Sequence, residues 1–127
     1  MKELAFKWLL LLLAFIAPVQ AAAVAVFILV VADLVTGILS ARAQNIKITS
    51  SGLKRSVTKW LAYEAALYLA FLTETNVTGH SIPLLHAVSG LIALTELASV
   101  LENLKVFTGI DMAAKVRGFL QSKDIKP

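Results

Sequence analysis

The chain has 127 residues and no cysteine, with 12 Lys+Arg against 8 Asp+Glu for a formal net charge of +4. Hydrophobic residues make up 58%, charged residues only 16%, and the mean hydropathy is +0.80. Soluble domains hold about 45–50% apolar and about 25% charged residues. The excess cannot fit inside a water-soluble core of this size, and disorder, a collagen-like chain and a disulfide framework are excluded. Lys and Arg flank apolar blocks rather than sharing one exposed stripe, so the basic pI near 9.6 does not point to nucleic acid. The composition is that of a membrane protein.

In chain order, the first apolar block runs 25 residues without a charge, Trp8 to Ala32, and resumes after Asp33 to reach Ala41. A straight helix over Trp8–Ala41 would measure about 51 Å at ~1.5 Å per residue, against a hydrocarbon core of about 30 Å. Pro18 disfavours helix at Ala17 and removes a backbone donor. The pattern therefore predicts a helix at about 4–17, a turn at Pro18–Gln20 and a crossing at about 21–43. A secretory signal peptide is the competing reading of the start. In it Lys2 and Lys7 form the basic region, Trp8–Ala17 the apolar region and Val19-Gln20-Ala21 a cleavage site.

The second block, Trp60–Thr73, is short and contains Glu64. With Lys59 snorkelling and Glu74 at the other interface it extends to a crossing of about 57–77, and Trp60, Tyr63 and Tyr68 fit aromatic anchors at its ends. The third predicted helix, about 81–104, carries His86 and Glu96, with Pro83 in its first turn. Beyond it Met112, Val116, Phe119 and Leu120 fall at helical spacing beside Lys115 and Arg117. They predict an amphipathic helix at about 111–121 lying on the membrane surface. The fold expected is all-α: a helical bundle with three or four transmembrane segments and a C-terminal amphipathic helix, in a single membrane domain.

Basic residues set the orientation. Arg42, Lys47, Lys54, Arg55 and Lys59 lie between the first two clear crossings, and Lys105, Lys115, Arg117, Lys123 and Lys126 follow the last. The Glu74–Ser81 connection has none. The positive-inside rule places the basic loop and the C-terminus in the cytoplasm. Lys2 and Lys7 favour a hairpin at Pro18, which gives four segments; the alternative is three crossings with the N-terminus outside.

Polar residues within the apolar blocks are the candidate functional groups. Asp33, Thr36, Gly37, Ser40 and Gln44 advance in steps of three and four and share one helical face. His86, Ser89, Ala93, Glu96, Ser99 and Asn103 form a second stripe. Gly37 with Ala41, and Ser89 with Ala93, are small pairs that let helices meet closely. Asp33 lies nine residues before Arg42 and Glu96 nine before Lys105, which puts both carboxyls roughly 13 Å from the same boundary. Glu64 belongs to the same half. An acidic side chain at mid-bilayer costs about 2.5–3.5 kcal/mol, so these groups must be hydrated, protonated or paired. Two readings follow: hydrogen-bonded glue within a compact bundle, or a water-facing surface in an oligomer that lines a pore or ion path. His86 reads as a packing hydrogen bond, and Trp60, Tyr63 and Phe71 as interface or lipid contacts.

At residues 33–109 the chain resembles a known family. Asp33-Leu34-Val35-Thr36-Gly37 is similar to the D-x-x-T-G element that ends the first clear crossing of the phage-lysis and toxin-secretion holins. Ile48 to Arg55 resembles that family's Ser/Gly/Lys-rich cytoplasmic loop. Glu96-Leu97-Ala98-Ser99-Val100-Leu101-Glu102-Asn103 resembles its E-x-x-S-x-x-E-N, which adds Glu102 to the candidates, with Gly109 following. The family usually has Ile-Pro after that glycine, where this chain has Ile110-Asp111. No second Met near the start supports a dual-start inhibitor. The resemblance implies an inner-membrane protein that contacts lipid, forms homo-oligomers and opens a lesion for host lysis or protein release. An endolysin or other cargo would cross it without stable binding.

Two other classes remain open. A non-perforating scaffold would anchor a soluble partner through the basic loop or tail. A small ion-coupled transporter subunit would exchange protons at Asp33 and Glu96, against which missing internal symmetry and short length count. No nucleotide or hydrolase fingerprint, nucleophile–base constellation or metal-ligand spacing occurs, so no enzyme, cofactor or metal is expected.

Overall fold

The computed structural model describes residues 1–124, with side-chain surroundings described as far as Ser122; Lys126 of the basic tail lies outside the described residues. The helices are α1 (Lys2–Ile16), α2 (Gln20–Ala43), α3 (Ser50–Asn76), α4 (Leu84–Thr108) and α5 (Met112–Asp124), with a 3-10 turn at Ala17–Val19 between α1 and α2. No strand occurs among the described residues. The protein is an all-α membrane protein.

The expected reversal at Pro18 does not occur. Ala17 (φ −51°, ψ −43°) and Gln20 (φ −54°, ψ −45°) stay in the right-handed helical region, and Lys2–Ala43 forms one helical stretch of 42 residues. Pro18 sits in the first turn of the 3-10 segment, where its fixed φ suits a helical turn, while its missing N–H interrupts the backbone bonding of the stretch at that point. The chain therefore passes through a short 3-10 segment and runs on as helix. Nothing in α1 is buried, and its one described ring contact is Phe15 stacked on Tyr68 at 5.8 Å.

Lys2–Ala43 and Leu84–Thr108 are each long and apolar enough to cross a membrane. The third long helix, α3, begins at Ser50, so Lys54, Arg55 and Lys59 stand on helix rather than in a long loop, and the connection from α2 is only residues 44–49. Its start follows from extended Thr49 (φ −117°, ψ 152°), and no glycine or proline interrupts it from Leu53 to Asn76. At the end of α2, Asn45 takes a left-handed φ of 56°. There Ile46 N–H bonds Ala41 C=O at 2.8 Å and Asn45 N–H bonds Arg42 C=O at 3.1 Å, a Schellman stop for which asparagine is suited.

Cross-helix contacts fix the directions. Phe27 meets Trp60 edge-on at 5.4 Å while Phe15 meets Tyr68, so α3 runs antiparallel to α2. Asp33 and Thr36 meet Ser99 and Asn103, and α4 runs back alongside α2. The buried apolar centre is small: Val19, Val26, Val30, Leu67 and Ile92, with Ala22, Tyr63 and Val88 packed around it. The outward faces are apolar, as lipid contact requires.

Two links shape the ends. Glu74, in the last turn of α3, accepts the Leu85 N–H at 2.8 Å, satisfying a donor of the first turn of α4 from a neighbouring helix. At the other end Gly109 adopts φ 72° and closes α4 on Lys105 C=O. Asp111 then caps α5 through the Ala114 N–H at 2.8 Å. Hydrogen bonding from Lys105, then from that N–H, holds the Asp111 carboxyl below its usual value. Asp111 thus starts the tail helix where the resembling family has proline, and Met112, Val116, Phe119 and Leu120 are exposed along it.

Candidate functional site

The polar centre of the bundle is assembled from three helices around one lysine. Lys59 projects from the third turn of α3 between α2 and α4, and donates to Asp33 Oδ2 at 2.7 Å and Glu96 Oε2 at 2.8 Å. The other oxygen of Glu96 accepts the Tyr63 hydroxyl at 2.8 Å. Lys59 and Tyr63 are four residues apart, so both stand on one face of α3. The other oxygen of Asp33 accepts Ser99 Oγ at 2.5 Å and Asn103 Nδ2 at 3.2 Å.

From there the network continues outward along α2. Asn103 Nδ2 also reaches Thr36 Oγ1 at 3.2 Å, while Thr36 returns its proton to the Ala32 carbonyl at 2.8 Å. Gly37 lies where a Cβ would stand 3.5 Å from Asn103 Nδ2, an ordinary contact distance. Ser40 is buried and accepts Gln44 Nε2 at 3.2 Å.

Burial grades across the centre. The Glu96 side chain is 2% exposed, Asp33 15% and Lys59 27%. No buried side-chain nitrogen or oxygen among the described residues lacks a hydrogen-bond partner. Two carboxylates share one ammonium, and each fills its remaining acceptor positions with hydroxyl or amide donors. That arrangement lets charged groups persist within apolar surroundings.

The expected residues divide clearly. Asp33, Thr36, Gly37, Glu96, Ser99 and Asn103 converge, and Ser40 and Ser89 lie on the same inner sides. His86 is exposed: ten residues before Glu96, it is rotated about 80° from it on a helix of ~3.6 residues per turn. Glu102 is exposed too, about 120° off the Glu96 direction. Glu64 stands apart from the cluster and accepts Trp60 Nε1 at 2.9 Å. It borders an apolar groove with Phe27 and Tyr68. Lys59 is not a free loop cation, and Tyr63 is not merely an interfacial aromatic; both are built into the centre. Their i, i+4 spacing puts both on one face of α3, but only the fold shows that this face meets the two carboxyls.

A cleft opens beside this centre, between the end of α2 and the start of α3. Its volume is about 430 Å³, and its lining includes half-buried Asp33, Lys59 and Ser56 and exposed Lys47, Thr49 and Arg55, so that Asp33 and Lys59 mark its inner end. Leu34, Ile38 and Leu53 give it an apolar wall. Among the described residues no group of three or more His, Cys, Asp or Glu is placed to hold a metal.

A model of the bacteriophage holin family matches residues 10–123, nearly the whole chain. The chain belongs to the bacteriophage holin family. Holins are membrane proteins without enzymatic activity, and this one is accordingly not an enzyme. No curated protein and no solved structure matches the chain. On the fold, the segments Asp33–Gly37 and Glu96–Asn103, which carry the resemblance noted in the sequence, lie against each other. Asp33, Thr36 and Gly37 face Ser99 and Asn103 directly.

Proposed function

We propose that this holin accumulates in the bacterial inner membrane, self-associates and opens a lesion that releases a cell-wall hydrolase or other protein. The observation that carries the reading, together with family membership, is the closed polar centre. A three-helix unit whose Lys59, Asp33 and Glu96 charges are satisfied internally encloses no channel of its own, so permeation belongs between copies. The protomer is the stored form, and the Lys59–Asp33–Glu96 cluster is the clamp that keeps polar groups away from lipid until copies assemble. In the open lesion Asp33, Thr36, Ser99 and Asn103 would then face water.

The topology that fits the charge distribution has three crossings: the α2 part of the α1–α2 stretch, α3 and α4. The 44–49 connection and α5 are cytoplasmic and the α3–α4 turn is outside. At ~1.5 Å per residue α1 and α2 together span about 63 Å, roughly twice the hydrocarbon thickness and more than tilting absorbs. In a bilayer the Ala17–Val19 turn is where α1 leaves the α2 axis.

The test is release from vesicles. Purified chain reconstituted at rising protein-to-lipid ratio is expected to release entrapped dye and then a folded protein, with a dependence on ratio steeper than first order. Insertion without release would instead support an anchor for a soluble partner. Proton flux without dye release would support an ion-coupled transporter subunit.

A further inference from the structure

The cleft between α2 and α3 borders the clamp through Asp33, Lys59, Ser99 and Asn103, but the rest of its lining takes no part in the clamp and has a definite chemical character. Lys47 and Arg55 stand at it as cations without an ion-pair partner among the described residues, and Thr49 and Ser56 add hydroxyls. Lys59, deeper in, is already paired with Asp33 and Glu96, so the Asp33 carboxylate at the inner end is compensated. The Thr49 side chain does not cap the start of α3, whose first-turn N–H groups favour an anion nearby. The wall opposite, Leu34 and Ile38, belongs to the part of α2 that enters the apolar stretch.

Cations at the polar end of a membrane helix, continuous with an apolar wall, fit a ligand with an anionic head and a hydrocarbon body. A free anion would use the cations and leave the wall unsatisfied. We infer that this cleft is a binding site for the phosphate headgroup of an anionic glycerophospholipid, with Lys47 and Arg55 on the phosphate and the start of an acyl chain along Leu34 and Ile38. Basic recesses between helices at the membrane boundary are suited to such headgroups. The inference needs membrane insertion only, and stands or falls separately from lesion formation.

Native mass spectrometry of the full chain in detergent, with phosphatidylglycerol or phosphatidylcholine added, tests it. Two cations near the surface predict a preference of roughly 30-fold for phosphatidylglycerol, equivalent to about 2 kcal/mol. Lys47→Ala with Arg55→Ala should bring binding to the phosphatidylcholine level. Lys115→Ala with Arg117→Ala, which removes the same charge from α5, should leave it unchanged. The charge-preserving pair Lys47→Arg with Arg55→Lys should retain the lipid, and it decides the matter if the alanine pair fails to fold. Equal binding of the two lipids by the wild-type chain would overturn the inference. So would equal loss in the α5 variant, or displacement of the lipid by an equal concentration of inorganic phosphate.

Discussion

Lys59→Met is expected to destabilise the folded chain by about 3–5 kcal/mol, the cost typical of breaking a buried ion pair from one side. Methionine keeps much of the volume but leaves Asp33 and Glu96 sharing a site with no cation between them. Tyr63, Ser99 and Asn103 still donate to the two carboxylates, but neutral donors do not offset two negative charges in apolar surroundings. Unfolding of the purified protein in detergent by a denaturant series measures the loss. Adding Glu96→Gln to Lys59→Met removes one of the stranded charges. The double variant should therefore recover at least about 1 kcal/mol relative to additivity, as residues in one network do. A loss below about 1 kcal/mol for Lys59→Met, or strict additivity, would show that the three charges are not a unit.

Asp33→Leu should cost about 3 kcal/mol for a different reason. Lys59 keeps Glu96, so no charge is left alone. Ser99 Oγ loses its acceptor and Asn103 Nδ2 loses the carboxylate, keeping only weaker contacts along α2. An orphaned buried donor costs about 1–3 kcal/mol, and the branched side chain must also fit beside α4. Asp33→Asn, which keeps an acceptor oxygen for Ser99, should lose only about 1 kcal/mol. Thermal unfolding of the two variants side by side gives the comparison. Equal losses would mean that volume, not hydrogen bonding, governs the site.

Much of this centre is legible in the sequence. Steps of three and four place Asp33, Thr36 and Gly37 on one face and Ser89, Ala93, Glu96, Ser99 and Asn103 on another. Equal distances from Arg42 and Lys105 put the two carboxyls at one depth. Spacing alone does not say which partner meets them. Lys59 resembles the last cation of a loop because the start of α3 carries no strong helix signal: its capping and turn residues at Thr49–Gly52 read equally well as coil. Tyr63 resembles an interfacial anchor because an aromatic near a helix end usually is one. His86 falls in with the inner stripe because small angular steps accumulate; the drift to Glu96 is visible only when the whole stripe is summed. Pro18 suggests a reversal because a long apolar run must fit the bilayer, but a short 3-10 segment takes up the proline and the helix goes on beyond it.

The network also connects stability to the proposed activity. If the clamp stores polar groups until copies assemble, weakening it without removing the helices should shorten the wait before the membrane opens. Glu96→Gln is the mildest such change. It keeps an oxygen for Tyr63 or Lys59 while removing one charge from the cluster.

Membrane potential and growth during induced expression in a bacterial host, wild type beside Glu96→Gln, test the account most directly. The expected record is normal growth during accumulation, then abrupt depolarisation, with a shorter delay in Glu96→Gln at equal protein level. A potential that holds while intact wild-type protein accumulates in the membrane would contradict the lesion reading. An identical delay in the two proteins would remove the cluster from the timing step.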